Sequence, residues 1–224
     1  MGELESVLLP GRIRTGDAKA AYTIDPAVLG GVMHRGQRCC VQERDRKTIT
    51  LVLGGARSGK SRWAQELAGK SERVAYVATA QARDAEMCEK IRRHQEDRPA
   101  HWQTLEEPLE LARVLIDHGA KFDLLLIDCL TVFVSNAMEA AQSDAASMEG
   151  RLDSFLEALR IVPASVVLVS NEVGSGVVPP YPAGRIFRDA LGELNQKVAA
   201  IADNVVLMMA GLPWALKGSI GGRP

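Results

Sequence analysis

Residues 51–63 read LVLGGARSGKSRW. An apolar run of strand type breaks at two glycines, and helix-favouring residues follow Gly59-Lys60-Ser61. The stretch Gly54-Gly55-Ala56-Arg57-Ser58-Gly59-Lys60-Ser61 fits the pattern G-x-x-x-x-G-K-[ST]. In such a loop the glycines let successive backbone N–H groups turn inward and ring a phosphate. Lys60 is then placed to reach the β- and γ-phosphates, and the Ser61 hydroxyl to ligate Mg²⁺. The helix that follows brings the positive end of its dipole to the same anion. The alternative is a Gly-rich turn without a ligand. The strand before the loop and the helix after it favour the phosphate loop.

Outward from this loop the chain alternates between two patterns. TITLVLGG (48–55), RVAYVATA (73–80), FDLLLIDCL (122–130), ASVVLVSNE (164–172) and NVVLMMAGLP (204–213) are short, apolar and rich in β-branched residues, as buried parallel strands are. The last of them reads as the final strand. Between them lie helical stretches: 60–70, 84–98 ending before Pro99, and 108–119 with Pro108 in its first turn and Gly119 past its end. Further helices are expected around 130–141, 147–161 and 185–202. VGSGVVPPYPAG (173–184) reads as a functional loop directly after a strand. Strands alternating with helices predict an α/β fold, a mainly parallel sheet with helices on both faces. Ligands on such sheets bind beyond the carboxyl ends of the strands. Residues 1–46 lack either period and read as an N-terminal extension, partly disordered, before a single domain over 47–224.

Bulk composition narrows the class. The 224 residues are 46% hydrophobic and 25% charged with a formal net charge of -1, so charge draws the chain neither to nucleic acid nor to an anionic membrane. No apolar run approaches the roughly 20 residues of a membrane span, and the first residues lack the order of a secretory signal. Ser6 after Gly2 fits a myristoylation signal, yet no basic cluster follows to supply a second anchor. A cytoplasmic location is expected. The four cysteines include the adjacent pair Cys39-Cys40 and no C-x-x-C, which argues for reduced thiols rather than zinc or a disulfide framework.

Two further sites carry chemistry. Asp128 closes the apolar run FDLLLID and suits a metal-supporting acid; the alternative is an ordinary cap on the helix near Leu130. No Asn-Lys-x-Asp follows any strand, and Asn171-Glu172 lacks the lysine, so a Ras-like GTPase is not favoured. In EMCEKIRRHQEDRPAHW (86–102), Met87, Ile91 and His94 share one helical face, with Arg92, Arg93 and Arg98 around the histidine. Alone, His94 reads as a boundary residue. Beside a triphosphate site its imidazole could attack phosphorus, with the arginines stabilising the developing charge. The residues do not choose between the α- and the γ-phosphorus. His101 lies close by, and His34 and His118 have no supporting context.

GGARSGKS, the stretch VATAQARDAEMCEKIRRHQEDRPAHWQTLEEP, SNEVGSGVVP and FRDALGELNQKVAAIADNVVLMMAGLP together resemble one family over about residues 49–217. It is the bifunctional adenosylcobinamide kinase / adenosylcobinamide-phosphate guanylyltransferase family of cobalamin biosynthesis. The resemblance implies a RecA-like P-loop fold, a homotrimer, Mg²⁺, and GTP and ATP as substrates. It implies phosphoryl transfer to adenosylcobinamide. It also implies transfer of GMP, carried on a histidine, to adenosylcobinamide phosphate. His94 matches the GMP-carrying position, and Arg93 stands where some members have a second histidine. Nucleotide contacts carry over to Gly54 through Ser61, to Thr79, Ala80 and Gln81, to Gln95, Glu96, Asp97 and Arg98, and to Glu106 and Asp128. At 128 some members carry Glu, so Asp keeps the charge with a shorter reach. Two rivals remain: a monofunctional P-loop small-molecule kinase with His94 structural, and a non-enzymatic nucleotide-binding regulator. A relative that transfers GMP without kinase activity is a third possibility.

Overall fold

The computed structural model describes residues 47–81, 99–142 and 144–219. Seven strands form one sheet: β1 (Ile49–Gly54), β2 (Val74–Ala78), β3 (Gln103–Glu106), β4 (Leu124–Asp128), β5 (Ser165–Val169), β6 (Asn204–Met209) and β7 (Leu212–Lys217). Their spatial order is β3-β2-β4-β5-β1-β6-β7. Every neighbouring pair is parallel except β6 and β7. Five helices are described: α1 (Lys60–Ala68), α2 (Leu111–His118), α3 (Leu130–Ala141), α4 (Ala145–Ile161) and α5 (Pro182–Ile201). One strand, β5, separates the glycine-loop strand β1 from β4 with its terminal Asp128, the layout of RecA-like P-loop proteins.

The central strands are apolar on both faces because both faces are covered. Leu51, Leu125, Ile127 and Leu168 pack with Phe133, Phe155, Leu159 and Leu191 on the side of α2 to α5. Val52, Tyr76, Leu126 and Val167 pack with Ala64 and Ala68 of α1 on the other side. Phe133 of α3 and Phe155 of α4 meet in a tilted pair with centroids 5.5 Å apart, a geometry aromatic quadrupoles favour. Asp203 fixes the amino end of β1, its Oδ2 accepting from the Ile49 N–H at 2.8 Å.

The structure departs from the sequence reading in three places. β3, Gln-Thr-Leu-Glu, is an additional strand; it lies at the sheet edge, mostly exposed, so it has no apolar run to announce it. β6 is not the last strand. Ala210 and Gly211, both with positive φ, turn the chain back into antiparallel β7. Pro108 lies outside α2, which begins at Leu111; Glu107 Oε1 accepts from the Leu109 and Glu110 N–H groups at 2.9 and 2.8 Å and sets that start. The alternative role weighed for Asp128, a cap on α3, is not met: the N-cap is Cys129, with no side-chain capping bond. The helix expected over 84–98 lies outside the described residues, as do residues 1–46.

Candidate active site

The glycine loop connects the end of β1 to the start of α1, and its backbone needs glycine at two points. Gly54 has φ 151°, and a Cβ there would stand 2.5 Å from the Met208 carbonyl oxygen and 2.7 Å from Ser58 Oγ. Gly59, at φ 94°, is the N-cap of α1. Arg57 also lies at positive φ, 55°. The loop is braced from outside. The Gly211 N–H of the β6–β7 turn donates to the Ser58 carbonyl at 3.0 Å, and the Glu172 N–H after β5 donates to the Gly54 carbonyl at 3.1 Å. Ser58 Oγ is buried without a partner among the described residues.

Lys60 is buried, and its ammonium donates to the Gly55 carbonyl at 2.6 Å. Burial lowers its pKa, opposed by attraction from Cys129 and Asp128. It therefore sits within electrostatic reach of the β4 end. Ser61 follows it in the first turn of α1, half-buried. Burial pushes the Cys129 thiol up, and the neighbouring Asp128 pushes it further.

Strand register aligns the carboxylates. Val52, Val169, Asp128, Ala78 and Glu106 form one row across β1, β5, β4, β2 and β3. Parallel partners share a face, and Ala78 packs on the α1 side, so Asp128 and Glu106 face that side too. Two strand spacings put their backbones roughly 10 Å apart. Tyr76, two residues back on β2, donates its hydroxyl to Asp128 Oδ2 at 3.0 Å. Glu106 is exposed.

The segment after β2 is pinned to the end of β4. Thr79 is fully buried. Its hydroxyl donates to the Cys129 carbonyl at 2.9 Å and accepts from the Cys129 N–H at 2.8 Å, which uses its donor and one of its two acceptor positions. Asn136 of α3 donates to the Thr79 and Pro108 carbonyls at 2.9 and 3.1 Å. Ala80 is half-buried and Gln81 exposed. The structure thus gathers Gly54 through Ser61, Thr79 through Gln81, Glu106 and Asp128 along the carboxyl edge of one sheet. His94, Gln95, Glu96, Asp97 and Arg98 lie outside the described residues. Tyr76 and Asn136 were not anticipated as parts of this edge. Tyr76 carries a polar atom inside an otherwise apolar strand, and Asn136 is one of several polar residues in its helix, so neither stands out in the sequence.

The chemistry of this edge is that of a polyphosphate site. A glycine loop between a strand and a helix N-terminus, a buried lysine and a carboxylate at the end of a nearby strand together define a P-loop nucleotide-binding protein. Comparison with known proteins carries the class further. The family described as cobinamide kinase / cobinamide phosphate guanyltransferase matches residues 50–216. A bifunctional adenosylcobalamin biosynthesis protein, CobP, of Pseudomonas aeruginosa is 46% identical over 169 residues, covering 75% of this chain and 96% of that protein. The corresponding CobU proteins of Salmonella typhimurium and Escherichia coli are 42% and 39% identical over 180 residues, each covering 75% of this chain and 99% of the relative. The chain belongs to the cobinamide kinase / cobinamide phosphate guanyltransferase family.

Proposed function

We propose that this protein phosphorylates adenosylcobinamide with ATP or GTP and then guanylylates the product. In the first reaction the cobinamide hydroxyl oxygen attacks the γ-phosphorus, the bond to the β-phosphate oxygen breaks, and a nucleoside diphosphate leaves. In the second, the His94 imidazole attacks the α-phosphorus of GTP and expels pyrophosphate. A phosphate oxygen of adenosylcobinamide phosphate then attacks the same phosphorus, the P–N bond breaks, and adenosylcobinamide-GDP is released. The observation that carries this reading is the family match over residues 50–216, which includes the whole glycine loop.

Each residue assigned from the sequence takes a role in this scheme. Gly54 through Ser58 and Gly59 present backbone N–H groups to the phosphates, and Lys60 supplies a positive charge. Glu106, Thr79, Ala80, Gln81 and the run from Gln95 to Arg98 serve the nucleotide. Thr79's hydroxyl bonds both backbone groups of Cys129, and its part is to hold Ala80 and Gln81 in place. Ser61 and Asp128 would hold Mg²⁺. The donors fit: a hydroxyl and a carboxylate are the hard oxygens that Mg²⁺ takes. Bound there, the ion would neutralise charge on the phosphates. Tyr76, bonded to Asp128 Oδ2, orients that carboxylate. A homotrimer in the cytoplasm is part of the same reading.

Label transfer tests it. With Mg²⁺ and GTP labelled at the α-phosphorus, the denatured protein should keep GMP in an acid-labile, alkali-stable bond. His94→Ala should abolish the label and His101→Ala should retain it. No covalent GMP on folded, GTP-binding protein would leave the small-molecule kinase with a structural His94.

A further inference from the structure

A γ-phosphoryl transfer to a hydroxyl needs a group to take the hydroxyl proton. We infer, on the kinase reading given above, that Glu172 is this general base. β5 lies between β1 and β4, so the residues that follow it emerge between the glycine loop and Asp128. The Glu172 N–H donates to the Gly54 carbonyl at 3.1 Å, which latches this residue to the first glycine of the loop.

The approach to Glu172 is held from two helices. Thr131 Oγ1 of α3 accepts from the Asn171 N–H at 2.9 Å, and Asn195 Nδ2 of α5 donates to the Asn171 carbonyl at 3.1 Å. The side chain is steadied as well. Glu172 Oε1 accepts from the Gly174 N–H at 2.7 Å, and Arg188 Nη2 donates to the Gly174 carbonyl at 2.6 Å. The second carboxylate oxygen of this exposed residue has no partner among the described residues, so it is open to a substrate hydroxyl.

The other described groups at this edge are committed or distant. Asp128 Oδ2 receives the Tyr76 hydroxyl, and this carboxylate is the one assigned above to Mg²⁺. Glu107 directly follows β3, the edge strand four places from β1. Glu106 lies four strands from β1, roughly 19 Å at ordinary strand spacing. Cys129, next to Asp128, is a thiol on a half-buried residue. The loop beyond Glu172 exposes Val177, Val178 and Tyr181, apolar surface beside the base that suits a large macrocyclic substrate.

In the step, the hydroxyl oxygen forms its bond to the γ-phosphorus while its proton passes to the Glu172 carboxylate. The nucleoside diphosphate leaves with the electron pair of the broken P–O bond. The carboxylic acid then returns its proton to solvent.

Glu172→Gln keeps an oxygen for the Gly174 N–H and removes the base. The two half-reactions are assayed separately on the full chain: phosphorylation of adenosylcobinamide, and covalent GMP formation from labelled GTP. Kinase kcat should fall about a hundredfold or more, with KM for the nucleotide unchanged. Covalent GMP should form as in the wild type, and Glu149→Gln, exposed on α4, should leave both assays unchanged. Kinase turnover within about threefold of wild type overturns the assignment, and so does an equal loss in both half-reactions, which would mean the loop had lost its brace. A wild type without kinase turnover overturns the parent reading and this one with it; a working wild type with a working Glu172→Gln overturns only this one.

Discussion

At the residue scale, Lys60 sets the site's response to pH. Burial lowers its pKa from the ordinary 10.5. Below its folded pKa both states hold the proton, and the cost of burying the charge is fully present. Between the folded pKa and 10.5 the unfolded chain binds more protons, so stability rises with pH across that window. A triphosphate beside the ammonium reverses the balance by favouring the charged form. Nucleotide binding in that alkaline window should therefore take up protons. Calorimetry in two buffers of different ionisation enthalpy would show it. In Lys60→Arg the guanidinium stays charged, and the binding heat should not depend on the buffer. The loop itself was legible residue by residue, because its pattern encodes backbone conformation: Gly54 and Gly59 stand where positive φ is required. The Tyr76–Asp128 bond was not legible, since cross-strand neighbours carry no signature along the chain.

Among elements, the long buried strands and the helices after them followed from apolar runs and periodicity. α3 occupies the range expected, 130–141. Strands β3 and β7 escaped for opposite reasons. β3 is short and exposed, so burial left no imprint on its sequence. β7 has alternating apolar residues but follows β6 after only two turn residues, so the two read as one run. The fastening between elements was hidden too. Asn136 ties α3 to the ends of two other segments through the Thr79 and Pro108 carbonyls. Asn136→Ala removes both donations and should cost roughly 1–3 kcal/mol. Urea denaturation should show a lower midpoint at unchanged slope. Nucleotide affinity should fall as well, because Ala80 and Gln81 lose their anchor.

For the whole molecule, the sheet ends in an apolar margin. Met209, Leu212, Trp214 and Leu216 are all more than half exposed on the β6–β7 hairpin. Such a patch at a sheet edge is costly for an isolated chain, and the proposed homotrimer gives it a reason to exist. Trp214→Glu should shift the mass measured by light scattering from three chains toward one. Retention of the full mass would locate the contact elsewhere. No described helix is long and apolar enough to cross a membrane.

The hairpin tip has a practical consequence for anyone handling this protein. Ala210 and Gly211 are exposed at the tip of a tight hairpin, the sort of spot usually chosen to splice in an affinity tag or a fluorescent label. Yet the Gly211 N–H supports the Ser58 carbonyl. A label inserted there would undo the backing of the phosphate cradle and silence the protein it was meant to make visible.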